Sequence, residues 1–132
     1  AMALMGAELL FYPTAIGSEP DEDESTFDSM PHWRTVMQGH AGANLMPVIA
    51  SNRIGTEYCE DYHITFYGSS FIADEHGQLA ATMDRETEGV ITATFDLDEL
   101  ALTRRAWGVF RDRRPELYTP LLTQNGKDPF LK

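Results

Sequence analysis

The sequence predicts a mixed α/β domain in which helices cover one face of a sheet. Three observations predict this class. Residues 9–12, LLFY, form an apolar run that is typical of a buried strand. Residues 30–44 carry apolar side chains at helical spacing, which predicts an amphipathic helix. Residues 87–97 are rich in β-branched side chains and alternate in polarity, which predicts a further strand.

The chain opens with a helix end, a strand and a loop. Residues 1–8 have the pattern of the last turns of a helix that ends near Gly6, and the alternative is a short, frayed N-terminal helix. We expect Pro13 to end the ladder of the following strand, because proline has no backbone donor. The irregular loop after it carries one carboxylate, Glu19. Ligand sites tend to lie past the carboxyl ends of buried strands, so this loop is a candidate site; the alternative is an ordinary capping turn.

A solvated acidic loop and the amphipathic helix come next. Residues 21–24, DEDE, repel one another and lack the spaced ligands of a calcium loop, so we expect no metal site. The helix is capped by Asp28 or Ser29 and reaches about Asn44. Trp33 is either a core residue or part of a pocket wall. The apolar stripe consists of Met30, Trp33, Met37 and Ala41.

The middle of the chain contains a short strand and a polar excursion. Residues 48–51 predict a buried strand, and Asn52 follows it, where a carboxamide can lock a loop through hydrogen bonds. We expect the polar residues 56–63 to form a surface loop. Cys59 lies there beside acidic residues, which disfavour the thiolate that a nucleophile needs, so we do not expect Cys59 to be catalytic.

A hairpin, a strand, a helix and a tail complete the chain. The Gly-Ser pair at residues 68–69 suggests a bulge or a close backbone approach between strand pieces. We expect the strand at residues 87–97 to lead into a helix capped by Asp98, and an extended apolar tail to start at Glu116. The hairpin strands are predicted at residues 64–67, 70–73 and 78–82, with a tight turn at residues 74–77.

Composition excludes several classes of partner. With 132 residues the chain can form one domain, and no apolar run approaches the roughly 20 residues of a membrane span. The net charge of −11 argues against nucleic acid or an anionic membrane as partner. The single cysteine excludes an internal disulfide and fits a reducing cytoplasm. No phosphate-binding glycine loop or zinc-spaced set of cysteines and histidines is present, so we expect no cofactor.

Five stretches resemble one branch of a known superfamily. They are YPTAIGSEP at residues 12–20, HW at 32–33, MQGHAGAN at 37–44, ASNRIG at 50–55 and ITFYGSSFI at 64–72. They resemble the N-carbamoylputrescine amidase branch of the nitrilase, or carbon-nitrogen hydrolase, superfamily. The first stretch is specific to that branch, whereas Asn52 and residues 68–70 are shared more widely.

The resemblance implies a fold and a reaction. The fold is the C-terminal half of a nitrilase-type α-β-β-α sandwich, spanning residues 1–132. The superfamily uses a cysteine nucleophile, a glutamate base and a lysine that stabilises the oxyanion. All three are expected upstream of Ala1, so we expect no catalytic residue in this chain and no activity from it alone. The alternative is a non-catalytic chain that only assembles.

The resemblance also implies a small-molecule substrate, a carbamoylated diamine. Glu19 matches the carboxylate that receives the distal ammonium. Tyr12, Thr14 and Ala15 are expected to border the carbamoyl group, with the backbone of the last two within reach. Trp33 is expected to line the channel for the amine. The superfamily assembles by pairing sandwich units, which implies a homo-oligomer.

Overall fold

Two β-sheets organise the part of this computed structural model that is described, residues 1–18 and 28–127. The larger sheet has the strand order β1-β3-β6-β7, in which β1 and β3 are parallel and the other neighbours antiparallel. The smaller sheet is antiparallel, with the order β2-β5-β4. The strands are β1 (Leu10–Thr14), β2 (Gly17–Ser18), β3 (Val48–Asn52), β4 (Ile54–Cys59), β5 (Tyr62–Tyr67), β6 (Phe71–Ala73) and β7 (Leu79–Thr82). The helices are α1 (Met30–Asn44) and α2 (Leu97–Trp107), with 3-10 turns at Met2–Met5, Pro115–Leu117 and Thr119–Leu122.

The core forms where α1 packs against the larger sheet. The predicted helix is confirmed, and Leu45 ends it in a left-handed conformation with φ 48°. Met30, Trp33, Met37 and Ala41, the predicted stripe, all belong to the core or contact it. The sheet side of the core consists of Val48, Ala50, Tyr67, Phe71 and Ala73, with Leu10 and Tyr12 packed against it. The mixed α/β class is therefore confirmed.

The first strand differs from its prediction. Pro13 lies inside β1, in register with Ser51, so the prediction that it ends the ladder was wrong. Among the described residues β1 has a neighbouring strand on one side only, and an edge strand tolerates a proline. Its burial alternates, with Phe11 68% exposed, so β1 is a half-buried edge strand and not a buried one.

Two predicted loops contain strands. Residues 56–63 lie in the β4–β5 hairpin, and residues 17–18 form β2. The hairpin has polar side chains because both of its faces are largely exposed, so it lacks the alternation that marks a half-buried strand. Strand β2 pairs closely with β5, since a Cβ on Gly17 would clash with the Thr65 carbonyl oxygen.

The predicted strand at residues 87–97 is absent. Residues 87–96 pair with no strand in the described part of the chain, although Ile91, Ala93 and Phe95 are more buried than the residues between them. β-branched residues fit a pleated surface, but they form a strand only where a partner completes the ladder. The next helix begins at Leu97 because Asp96, not Asp98, caps it by accepting from the Asp98 and Glu99 amides. The tail contains two 3-10 turns and is not fully extended.

The remaining turn predictions are confirmed. Gly6 ends the 3-10 turn Met2–Met5 in a left-handed conformation, with φ 96°. Strands β6 and β7 form the predicted hairpin. Gly68 and Ser69 both have positive φ, and a Cβ on Gly68 would lie 2.7 Å from the Arg85 carbonyl oxygen. In the described part of the chain, no helix is long and apolar enough to cross a membrane.

Candidate functional site

An open depression lies at the carboxyl ends of β1 and β3. Because these strands are parallel, their ends meet at the same edge of the larger sheet, which is where α/β sheets commonly bind ligands. The depression has a volume of about 430 Å³. Its lining residues are Pro13, Thr14, Ala15, Ser51, Asn52 and Arg53. The structure therefore brings two of the predicted site residues, Thr14 and Ala15, to one place.

The hydroxyl group of Thr14 is already used. Its Oγ1 donates a hydrogen bond of 2.7 Å to the carbonyl oxygen of Ser51. That bond ties the end of β1 to β3 and leaves the side chain with less capacity to bind a ligand. Ala15 follows and is exposed. This wall of the depression therefore offers backbone groups near Thr14 and Ala15, and their contact with a carbamoyl group stays a prediction.

The carboxamide of Asn52 joins three segments. Its Oδ1 accepts from the amide of Ile16 at 2.9 Å. Its Nδ2 donates to the carbonyl oxygens of Ile16 at 2.9 Å and of Gly68 at 3.0 Å. The prediction that this carboxamide locks a loop is confirmed. The loop is the one that leaves β1, so the wall of the depression is held from the side of β3.

Among the described residues that line the depression, Arg53 is the charged one. Its Nη1 lies 2.8 Å from Oε2 of Glu57, and its Cζ lies 4.4 Å from the ring centroid of Phe66. The guanidinium group is therefore neutralised by one carboxylate and stacked on one ring. The sequence did not reveal this pair. Arg53 directly precedes β4 and Glu57 lies within it, four positions further on, and whether such side chains meet depends on the local twist of the strand.

The other predicted site residues are more dispersed. Tyr12 is half-buried and packs against the core. Trp33 is 7% exposed and lies between Tyr67 and Phe71, with ring centroids 5.8 and 5.4 Å away. Among the described residues its Nε1 has no hydrogen-bond partner. Trp33 is thus a core residue here, and its contact with a substrate stays a prediction. Glu19 lies outside the described residues.

A second polar cluster, also missed, surrounds the start of α1. Asp28 accepts a hydrogen bond from Arg85, which is the main reason why the pKa of Asp28 lies below its ordinary value. Arg34 donates to the carbonyl oxygen of Ser69 at 3.2 Å, and its burial lowers its pKa. Burial raises the pKa of the Tyr67 hydroxyl. The bond from Arg34 to Ser69 helps to fix the connection between β5 and β6, on which Gly68 accepts from Asn52.

Cys59 lies away from the depression. It is exposed and occupies the last position of β4, in register with Tyr62 beside the hairpin tip. Arg53, which lines the depression, directly precedes the other end of that strand. Six strand residues span roughly 20 Å, so the thiol cannot reach a group bound near Ala15.

The geometry has counterparts among known proteins. The model of the carbon-nitrogen hydrolase family matches residues 1–105. The chain belongs to this family. A carbon-nitrogen hydrolase from Helicobacter pylori is 40% identical in sequence, with a TM-score of 0.82 over 93% of this chain. The family fold, of which the two sheets and α1 form part, is therefore shared by this chain.

Relatives that have been curated are more similar in sequence. An N-carbamoylputrescine amidase from Solanum tuberosum is 59% identical over 98% of this chain. A citrullinase from Francisella tularensis is 55% identical over 92% of it. The chain spans 44% of the length of the first relative, 42% of the second and 43% of the Helicobacter pylori structure.

Proposed function

We propose that the full-length protein that contains this chain is an amidohydrolase acting on a linear, non-peptide C–N bond, with N-carbamoylputrescine as its substrate. What carries the proposal is the 59% identity to an N-carbamoylputrescine amidase, which extends across the loop and strand ends that form the depression. The proposal assigns no catalytic residue to this chain. The nucleophile, base and oxyanion lysine that the family uses would come from elsewhere in the protein.

The proposed reaction consumes one water molecule. A nucleophile attacks the carbonyl carbon of the terminal carbamoyl group, and the terminal C–N bond breaks to release ammonia. Water then attacks the carbamoylated nucleophile, and the resulting carbamic acid loses CO2 to leave putrescine. In such a reaction, this chain supplies the fixed backbone around Thr14 and Ala15 that borders the carbamoyl group, and no cofactor is required.

The charge in the depression favours one of two candidate substrates. Citrulline differs from N-carbamoylputrescine by an added α-carboxylate, and the 55% identity to a citrullinase makes it the second candidate. A carboxylate needs a cationic partner. Arg53 is the cation lining the depression, and it already pairs with Glu57 at 2.8 Å. This pairing supports the diamine derivative, which carries no carboxylate.

Glu19 is proposed to receive the distal ammonium of the substrate. In the sequence it directly follows Ser18, the last residue of β2. A hydrogen bond between two charged groups is worth about 1.5–3 kcal/mol. Glu19→Gln should therefore weaken binding of the cationic substrate by about ten- to a hundredfold.

The test measures ammonia release by the full-length protein. We would determine kcat/KM for N-carbamoylputrescine, for citrulline and for N-carbamoylbutylamine, which has the same four-carbon chain but no ammonium. We expect the first to be preferred. Glu19→Gln should lower kcat/KM for N-carbamoylputrescine and barely change it for N-carbamoylbutylamine, a comparison that forms a double-mutant cycle. Glu60→Gln at the exposed hairpin tip is the matched control and should change neither.

Three outcomes would contradict parts of the proposal. No ammonia from any ureido compound would favour the non-catalytic alternative. Citrulline as the best substrate would replace the diamine derivative. Equal losses on the charged and uncharged compounds would mean that Glu19 supports the loop and does not bind the ammonium.

We further propose a cytoplasmic homo-oligomer. The face of the larger sheet opposite α1 carries Phe11, in register with Ile49, which is in turn in register with Ile72. Of these, Phe11 is 68% exposed, Ile49 is half-buried and Ile72 is only 6% exposed, so the open apolar surface lies at the β1 edge, and soluble monomers rarely leave such patches open. Light scattering of the full-length protein should give the mass of at least a dimer. A monomeric mass at high concentration would contradict the assembly.

A further inference from the structure

We propose that Asn52 is a positioning residue whose carboxamide fixes the peptide groups of Ile16 and thereby holds the exposed Ala15 backbone in place before substrate binds. The inference rests on the proposed function and adds the residue that prepares the site for any carbamoyl substrate. The Asn52 side chain alone makes three hydrogen bonds to the backbone.

The carboxamide has one orientation that satisfies its partners. Both hydrogens on Nδ2 are used, by the carbonyl oxygens of Ile16 and Gly68, and Oδ1 accepts from the Ile16 amide. The reversed orientation would direct Nδ2 at an N–H group and Oδ1 at two carbonyl oxygens. Neither contact is a hydrogen bond, so the partners fix the orientation. The side chain thus binds Ile16 through both backbone groups, as a neighbouring strand residue would.

Asn52 is itself held from two directions. It is the last residue of β3, in register with Thr14 of β1. Its backbone amide donates to Oγ of Ser70 at 2.9 Å, and the same hydroxyl group donates to its carbonyl oxygen at 3.4 Å. Gly68 is fixed as well, since its amide donates to the carbonyl oxygen of Arg53 at 2.9 Å. The position of the carboxamide is therefore determined by the sheet and by the β5–β6 connection.

Ala15 lies between two anchored residues. Thr14 is tied to Ser51 through its hydroxyl group, and Ile16 is tied to Asn52. The backbone of Ala15, which lines the depression, has little freedom left between them. A site that is ordered in advance spends none of the substrate's binding free energy on ordering a loop. Any carbamoyl substrate, charged or uncharged, should benefit equally, because the anchored wall borders the carbamoyl end.

The test uses two variants of the full-length protein. Asn52→Ala removes all three bonds, and a misplacement of about 1 Å at a reacting group can cost on the order of a hundredfold in rate. We expect a loss of that size in kcat/KM for N-carbamoylputrescine and N-carbamoylbutylamine alike. Asn52→Asp keeps the acceptor but places a carboxylate against two carbonyl oxygens. Protonation restores one donor, so the ratio of its kcat/KM to wild type should rise about tenfold between pH 8 and pH 5.5.

Asn44→Asp is the matched control. Asn44 also donates through Nδ2 to a backbone carbonyl oxygen, that of His40 at 2.8 Å, but on α1. The ratio of kcat/KM of Asn44→Asp to that of wild type should stay close to one at every pH. All rates are expressed per folded protein, measured by near-ultraviolet circular dichroism, so that a mere loss of stability does not count. If Asn52 had a purely structural role, kcat/KM of Asn52→Asp per folded protein would not recover at low pH.

The outcomes separate this inference from the proposed function. If the wild type is active, two results would overturn the positioning role. The first is a ratio of kcat/KM of Asn52→Asp to wild type that does not change with pH. The second is a kcat/KM of Asn52→Ala within threefold of wild type. If Asn52→Ala does not fold, the nearly isosteric Asn52→Asp decides alone. If the wild type releases no ammonia, the proposed function fails, and hydrogen exchange at the Ile16 amide decides instead. Unchanged exchange at Ile16 in Asn52→Ala, which lacks the acceptor of this amide, would then overturn the anchoring itself.

Discussion

Two regions that the sequence presents as surface loops are held in different ways. The segment at residues 14–18 is anchored by bonds to distant parts of the chain, such as that between Ile16 and Asn52, 36 positions away. The outer part of the β4–β5 hairpin is held by a ladder whose partners are 3 to 13 positions apart. The first segment is half-buried at four of its five residues, whereas residues 56–62 are all exposed.

This difference indicates which contacts, local or long-range, make each segment rigid. The outer part of the hairpin, residues 56–62, can form from local contacts, so it can also open without disturbing the larger sheet. The segment at residues 14–18 can be fixed only after β1, β3 and the β5–β6 connection have assembled, because its partners lie on those elements. A substitution at one of those distant partners should therefore affect the segment more than a substitution inside the hairpin affects the hairpin.

The largest effect is expected at Gly68, on the connection that helps to hold Asn52. Gly68 has φ 50°, and a Cβ there would lie 2.7 Å from a backbone oxygen. Gly68→Ala should therefore destabilise the protein by about 1–3 kcal/mol, measured by urea unfolding. Gly39→Ala is the control, because nothing lies within 4 Å of a Cβ in the middle of α1. It should stabilise the protein by roughly 0.5–1 kcal/mol. A similar change in the free energy of unfolding in both variants would contradict the difference expected between Gly68 and Gly39.

A smaller effect is expected where the two regions meet, at the pair of Arg53 and Glu57. Both side chains are more than half exposed, at 54% and 59%, and such pairs are worth about 0.2–1 kcal/mol. Glu57→Gln leaves Arg53 free to attract a carboxylate. The ratio of kcat/KM for citrulline to that for N-carbamoylputrescine should rise roughly two- to fivefold. A ratio that stays constant would mean that Arg53 does not contact either substrate.

The smallest effect is expected inside the hairpin. Tyr58 is 79% exposed and stacks on His63 across the ladder, with ring centroids 5.3 Å apart. A cross-strand pair of this kind contributes roughly 0.2–1 kcal/mol. Tyr58→Ala should cost no more than that in urea unfolding and should leave kcat/KM unchanged. A loss of activity at constant stability would show that the hairpin takes part in the site.

The parts of the fold that are local could be predicted from the sequence. The stripe of α1 and the turn between β6 and β7 depend on nearby residues, and both are confirmed. The locking role of Asn52 was also predictable, because a carboxamide just past a strand end has few other partners. Strand β2 was missed because two residues acquire strand geometry only through their pairing with β5.

The errors share one physical cause. Residues 87–97 have the β propensity of a strand but no partner strand, whereas the polar residues 56–59 have a partner and form β4. Pro13 was predicted to end β1, yet it fits there because the strand lies at an edge of the described sheet. Pairing is a long-range property, so single-residue preferences do not determine it.

Hydrogen exchange at single amides, in the full-length protein without substrate, tests the central claim most directly. If residues 14–18 are anchored before substrate binds, the Ile16 amide should exchange at least about tenfold more slowly than the amides of Glu60 and Asp61 at the hairpin tip. Asn52→Ala should remove that difference. Exchange at Ile16 as fast as at the hairpin tip, slowed only after N-carbamoylputrescine is added, would contradict the account, since the substrate and not Asn52 would then order the site.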